Sequence, residues 1–165
     1  MSPGTAPQPP HDHHACIDRA LAQADSICAE RGARLTALRR RVLELVWQDH
    51  AAVKAYDLLR ALDTGATTAK PPTVYRALDF LIEHGLVHRL ESLNAYVGCP
   101  EPARAHQGGF MICETCGRVS EFDTGKAGAA IASRARRDGF RIRRQTVEVR
   151  GVCAACDPDG GEIAP

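Results

Sequence analysis

No apolar run in the 165-residue chain approaches the roughly 20 residues needed to cross a bilayer. The N-terminus also lacks the apolar core of a secretory signal, so the chain is expected to stay in the cytoplasm. In that reducing compartment its seven cysteines read as metal ligands or free thiols rather than disulfides. An excess of one charge is missing too: Lys and Arg number 21, Asp and Glu 20, for a net charge of +1. Such a balance gives no support to nonspecific nucleic-acid binding. Any nucleic-acid contact must come from a few placed groups, doubled by dimerisation. The length allows one domain or two small ones.

Taken in order, residues 1–15 are rich in proline and polar residues and read as a disordered arm. The arm region holds His11, His13, His14 and Cys16. Ordering it costs entropy, so chance histidines on a floppy tail are favoured over a metal site. Ile17 to Arg31 is a predicted helix with Ile17, Leu21, Ala24 and Ile27 on one face, closed by Gly32. Cys28 reads as a buried core thiol. Thr36 can cap a second helix to about Gln48, with Leu38, Val42, Leu45 and Val46 facing inward and Trp47 packing beside them. Arg39, Arg40 and Arg41 on this helix offer either phosphate contacts or an ordinary solvated face. Ala55 to about Leu62 is a short third helix.

The stretch from Lys70 to Gly85, with a helix starting at Pro72, organises the rest. Val74, Ala77, Leu78 and Leu81 recur at i, i+3, i+4 and i+7, making one apolar face. Pro72 suits the first turn, and Gly85 the position past the end. The other face presents Thr73, Tyr75, Arg76 and Asp79. A helix built this way can dock on a small core and push its N-terminal turns into a DNA major groove. By itself it reads more readily as a common amphipathic surface helix. Two strands follow, Leu86–Leu93 and Ala95–Gly98, with Ser92-Leu93-Asn94 as the turn. The order of three helices, a recognition-type helix and a β-hairpin is that of a winged helix-turn-helix domain, set here at residues 16–98.

Residues 99–109, with Pro100, Pro102 and Gly108-Gly109, read as a hinge. Beyond it, residues 110–157 read as strands Phe110–Cys113 and Val119–Phe122, a helix from Lys126 to Asp138, and a strand Phe140–Val149. Residues 158–165 read as a frayed tail. The fold class is therefore α+β: an N-terminal winged-helix domain, then a small α/β unit whose core needs a metal or a partner chain.

Cys113-Glu-Thr-Cys116-Gly117 and Cys153-Ala-Ala-Cys156 are two Cys-x-x-Cys pairs. Each offers two thiolates from a tight turn, and together they complete a closed tetrahedral zinc site. Such a site has no open position for catalysis. A redox dithiol is disfavoured because no thioredoxin-like βαβ pattern surrounds either pair. The His-x-Glu that zinc deaminases place before their cysteines is also absent. Four more potential ligands surround the hinge: His88, Cys99, His106 and Glu121. Singly, each has a bland reading as a surface histidine, buried thiol, loop histidine or solvated acid. Jointly they offer two nitrogens, a sulfur and an oxygen from both domains, a set that suits zinc and would fix the angle between them.

Arg34-Leu35-Thr36-x-x-Arg39, Thr73-Val74-Tyr75-Arg76-Ala77-Leu78, the wing end Tyr96-Val97-x-Cys99, and Cys113-x-x-Cys116-Gly117 resemble the ferric uptake regulator family, over about Ile17 to Cys156. Ala55-Tyr56-Asp57-Leu58-Leu59, the run Ala69 to Leu81, and the pairing of His88 with Cys99 are most similar to its zinc uptake regulator branch. The resemblance implies a homodimeric, zinc-dependent transcriptional repressor of zinc uptake genes that binds AT-rich palindromic operators in double-stranded DNA. It implies no enzymatic activity, no membrane partner and no small-molecule substrate other than zinc. It implies two Zn2+ per chain: a structural ion on Cys113, Cys116, Cys153 and Cys156, and a regulatory ion on His88, Cys99, His106 and Glu121. Its DNA contacts would include Tyr56 and Arg76, with Lys70, Thr73 and Tyr75 nearby. The iron-sensing branch shows a His-His-Asp-His run before the first Cys-x-x-Cys, where this chain has Arg104-Ala105-His106-Gln107. That departure counts against an iron or peroxide sensor. A same-family regulator sensing another metal (iron or manganese) or peroxide, and a zinc-stabilised interaction module without a sensing site, are the remaining alternatives.

Overall fold

The computed structural model describes residues 13–48, 51–63, 70–103, 108–143 and 145–157. His11, His50, His106 and the tail at 158–165 lie outside them. The chain divides into two compact units, one holding the described residues up to 103 and the other those from 108. Among the described residues, no helix is long and apolar enough to cross a membrane.

The first unit contains α1 (His13–Glu30), α2 (Ala37–Trp47), β1 (Val53–Lys54), α3 (Ala55–Leu62), α4 (Pro71–Glu83), β2 (Val87–Leu90) and β3 (Ala95–Gly98). The first helix begins at His13, so the last residues of the expected N-terminal arm, His13 to Ala15, are helical. The Thr36 hydroxyl accepts the Arg39 N–H at 3.4 Å and caps α2 as its position predicts. The predicted apolar face of α4 is the buried one: Val74, Ala77, Leu78 and Leu81 pack with Ala24, Ile27 and Cys28 of α1, Val42, Leu45 and Val46 of α2, and Leu58 of α3. Leu43 joins this core and Leu38 only borders it. Gly85, at φ +72°, turns the chain out of α4, and the Leu86 N–H closes the helix on the Leu81 carbonyl at 2.9 Å.

The wing is a three-stranded antiparallel sheet in the order β1-β3-β2. Its hairpin pairs His88 with Val97 and Arg89 with Tyr96. The strand expected over Leu86–Leu93 is shorter, Val87–Leu90, because the chain turns at Glu91, whose carbonyl accepts the Asn94 N–H at 3.3 Å. β1 was not expected; two residues are too few to show alternation. Helices α1–α4 with this wing are a winged helix-turn-helix.

The second unit contains β4 (Gly108–Cys113), β5 (Val119–Asp123), α5 (Gly125–Arg137) and β6 (Val147–Gly151). Its sheet order is β5-β4-β6, with β4 antiparallel to β5 and parallel to β6. Two expectations are corrected here. Gly108 and Gly109 belong to β4, not to the hinge; a Cβ on either would overlap the Glu121 carboxylate or the Phe122 ring, so glycine lets side chains of β5 lie over the strand. The strand expected at Phe140–Val149 begins only at Val147. After Gly139, at φ +67°, the Phe140 N–H bonds back to the Ala135 carbonyl at 2.7 Å, and Phe140 is left 69% exposed. Among the described residues, the apolar–polar alternation there pairs with a neighbouring strand only from Val147.

Candidate metal centres and nucleic-acid face

The four paired cysteines converge in the second unit. Cys113 ends β4, Cys116 follows on its turn, and Cys153 and Cys156 lie on the turn after β6. Because β6 runs parallel beside β4, with Cys113 in register with Gly151, both turns leave the same end of the sheet. Each turn is closed by its own backbone. The Cys113 carbonyl accepts the Gly117 N–H at 2.9 Å, with Gly117 at φ +73°, and the Cys153 carbonyl accepts the N–H groups of Cys156 and Asp157 at 2.8 and 3.0 Å. The four sulfurs lie within 4.8 Å of one another, and Cys116 Sγ is 3.8 Å from Cys153 Sγ. Tetrahedral coordination at about 2.3 Å per bond requires sulfurs about 3.8 Å apart. The donor set and its spacing therefore fit zinc.

Electrostatics point the same way. Backbone N–H groups of Cys116 and then Cys153 lower the Cys113 thiol to about 6; the Cys153 N–H reaches Cys113 Sγ at 3.3 Å. Loss of water, then the neighbouring sulfurs, push Cys156 up to about 12. The sulfurs titrate as a set in which one ionises readily and the crowding opposes the last.

Of the second predicted ligand set, His88 and Cys99 come together in the wing. His88 sits on β2 and Cys99 directly after β3, where its N–H donates to the Leu86 carbonyl at 3.0 Å. A ring nitrogen of His88 and Cys99 Sγ lie within 4.8 Å of each other, and Cys99 is buried. Glu121 belongs to the other unit, on β5 opposite Phe110, with its carboxylate over Gly108. Cys28, by contrast, is a buried core thiol, as expected, pushed up by burial and then by Asp25.

The predicted nucleic-acid residues are all exposed. Thr73, Tyr75 and Arg76 stand on the face of α4 opposite its core, and Lys70 is the residue before the helix. Tyr75 is 46% exposed and Tyr56, on α3, 67%. The Arg60 guanidinium lies 6.0 Å from the Tyr56 ring centroid, a neighbour that its i+4 spacing could have disclosed. The three arginines of α2 are engaged within the chain. Arg39 lies 3.5 Å over the Phe80 ring and donates to the Arg34 carbonyl at 2.6 Å, Arg40 pairs with Asp25, and Arg41 pairs with Glu44 at 2.8 Å. These partners favour a structural role over phosphate contact.

A model of the ferric uptake regulator family matches residues 30–150. The zinc uptake regulation protein of Escherichia coli (strain K12) is 45% identical over 139 residues, 82% of this chain and 80% of that protein. A zinc uptake regulator complexed with zinc and DNA superposes with a TM-score of 0.82 at 43% identity, covering 87% of this chain and 96% of that one. The crystal structure of holo XcZur gives 0.78 at 40% identity, covering 86% and 99%. With most of its length matched, and with the wing and the paired Cys-x-x-Cys turns in place, the chain belongs to the ferric uptake regulator family.

Proposed function

We propose that the chain is a zinc-responsive transcriptional repressor, not an enzyme, that acts in the cytoplasm as a homodimer on AT-rich palindromic operators of zinc uptake genes. The observation that carries this reading is the His88–Cys99 pair in the wing of a chain 45% identical to a zinc uptake regulation protein. A nitrogen and a thiolate are donors zinc accepts readily, while harder oxygen-rich sets suit manganese. Cys113, Cys116, Cys153 and Cys156 hold one structural zinc. His88 and Cys99, joined across the hinge by His106 and Glu121, hold a second, regulatory one. Bound zinc supplies a cross-link there, with no vacant position for chemistry.

Dimerisation falls to the second unit. Met111 and Val149 are neighbours in register on its sheet and about half exposed, as is Val152, and among the described residues β5 and β6 are its edge strands. Two copies then present two α4 helices to half-sites of one palindrome. Arg76 reads a guanine edge, contributing roughly 1–3 kcal/mol of discrimination. Tyr56 meets a thymine methyl or a phosphate, and Lys70, Thr73 and Tyr75 lie close by on the same surface. Filling the regulatory site favours operator binding only as far as the four ligands prefer the DNA-competent arrangement, and DNA raises zinc affinity by the same factor. When zinc is scarce the dimer releases and uptake genes are expressed.

Native mass spectrometry with mild chelation, paired with operator binding, tests this on the wild type and a His88→Ala/Cys99→Ser variant. The wild type is expected to carry two zincs and lose one to the chelator together with operator binding, and the variant to hold only the tight one. One zinc in both proteins, with equal operator affinity, would refute the sensing site. Restoration of binding by another metal alone would transfer the reading to that metal.

A further inference from the structure

Trp47 is the only tryptophan of the chain and the last residue of α2. Its indole lies so close over the backbone of Gly98 that a Cβ there would overlap Cε2, Nε1 and Cζ2 of the ring. Gly98 is not at positive φ, so no backbone strain demands glycine; the space under the ring does. Gly98 ends β3 and is paired with Val87 of β2. The residue after Gly98 is Cys99, and the residue after Val87 is His88. The ring therefore presses on the one strand pair from which both candidate ligands depart. The helix that carries it shares its core with α4, through Val42, Leu45 and Val46 against Val74, Leu78 and Leu81.

We infer that Trp47 and Gly98 form a clamp that sets Cys99 Sγ against the His88 ring, making Trp47 a positioning residue for metal at the wing. The clamp ties that site to α2 and, through the shared core, to the exposed face of α4. The inference rests on the zinc reading of His88 and Cys99. Its geometry lies wholly within the first unit, and a flat ring pressed on a backbone is stiff where a flexible side chain would yield.

The test uses the full chain with its four-cysteine site loaded. Zinc affinity of the chelatable site is measured by chelator competition, and Trp47 emission is followed during the titration. Gly98→Ala is expected to weaken zinc about tenfold or more, as supporting residues around a metal site do. Trp47→Ala is expected to weaken it less. The double variant, in which the added methyl has room, should match Trp47→Ala rather than Gly98→Ala. That rescue separates positioning from general damage, and it is read beside a thermal melt of each variant. In the wild type, zinc should shift the Trp47 emission; in Cys99→Ser it should not. Wild-type affinity in Gly98→Ala, or a double variant as weak as Gly98→Ala, overturns the clamp. Should Gly98→Ala not fold, Trp47→Ala and the emission shift decide: unchanged affinity with no shift overturns it. If Cys99→Ser keeps the chelatable zinc, the zinc reading itself fails, and the clamp fails with it.

Discussion

Replacing Cys153 with serine, or stripping zinc exhaustively from the wild type, is expected to unfold the unit of β4, β5, α5 and β6 while α1–α4 and the wing stay folded. The reason is the poverty of its core. Among the described residues its only buried apolar side chains are Phe110, Ile112 and Cys113, and α5 buries only Gly128. So few side chains do not offset the entropy of ordering the unit. A structural zinc on the four cysteines, as proposed, would contribute on the order of 10 kcal/mol, larger than any single interaction within the unit's own chain. The Arg150–Glu114 ion pair at 2.8 Å ties β6 to the turn after β4, but both side chains are half exposed, and such pairs are worth about 1 kcal/mol at most. Amide resonances are the direct measurement. Signals of residues 108–157 should collapse to unfolded positions and those of the first unit should remain. Persistence of the β4–β6 amides in Cys153→Ser would mean that the metal is not what holds this sheet.

The next largest effect is expected at Leu78. Its side chain is fully buried in α4, against α1, α2 and α3. Leu78→Ala removes buried methyl groups and leaves a cavity, at a cost of about 2–5 kcal/mol. Domains of this size have about 5–15 kcal/mol in all. The melting temperature of the first unit should fall by about 8 °C or more. Arg76, two residues earlier, is the contrasting case. It is exposed on the opposite face, so Arg76→Ala should move stability by no more than about 0.5 kcal/mol while abolishing discrimination at its base. Denaturation and operator binding on the two variants separate the faces of α4. Equal melting temperatures for Leu78→Ala and wild type would mean that the helix is not anchored through this face.

How far the sequence could be read depended on the range of the interaction. Helix α4 was legible from Val74, Ala77, Leu78 and Leu81, because a 3.6-residue period and a proline–glycine frame are local. Thr36 was legible as a cap for the same reason. The start of α1 was not: His13 and His14 carry no periodic signal, yet the helix extends through them. Gly108-Gly109 misled because a glycine pair marks a turn more often than a close approach, and only the registry of β4 with β5 distinguishes the two. The alternation at Phe140 misled because alternation promises a strand without naming a partner for it.

The sequence by itself determined the class of fold, the two cysteine pairs and the family, because each is written in spacings of a few residues. Tertiary structure alone decided which distant groups meet. The parallel register of β4 and β6 carries the sulfurs of two turns nearly 40 residues apart to within 4.8 Å. The wing hairpin brings His88 to Cys99, and the core sets the ring of Trp47 on Gly98. Local spacing cannot encode such meetings, because they follow from how strands register and helices pack once apolar faces are buried.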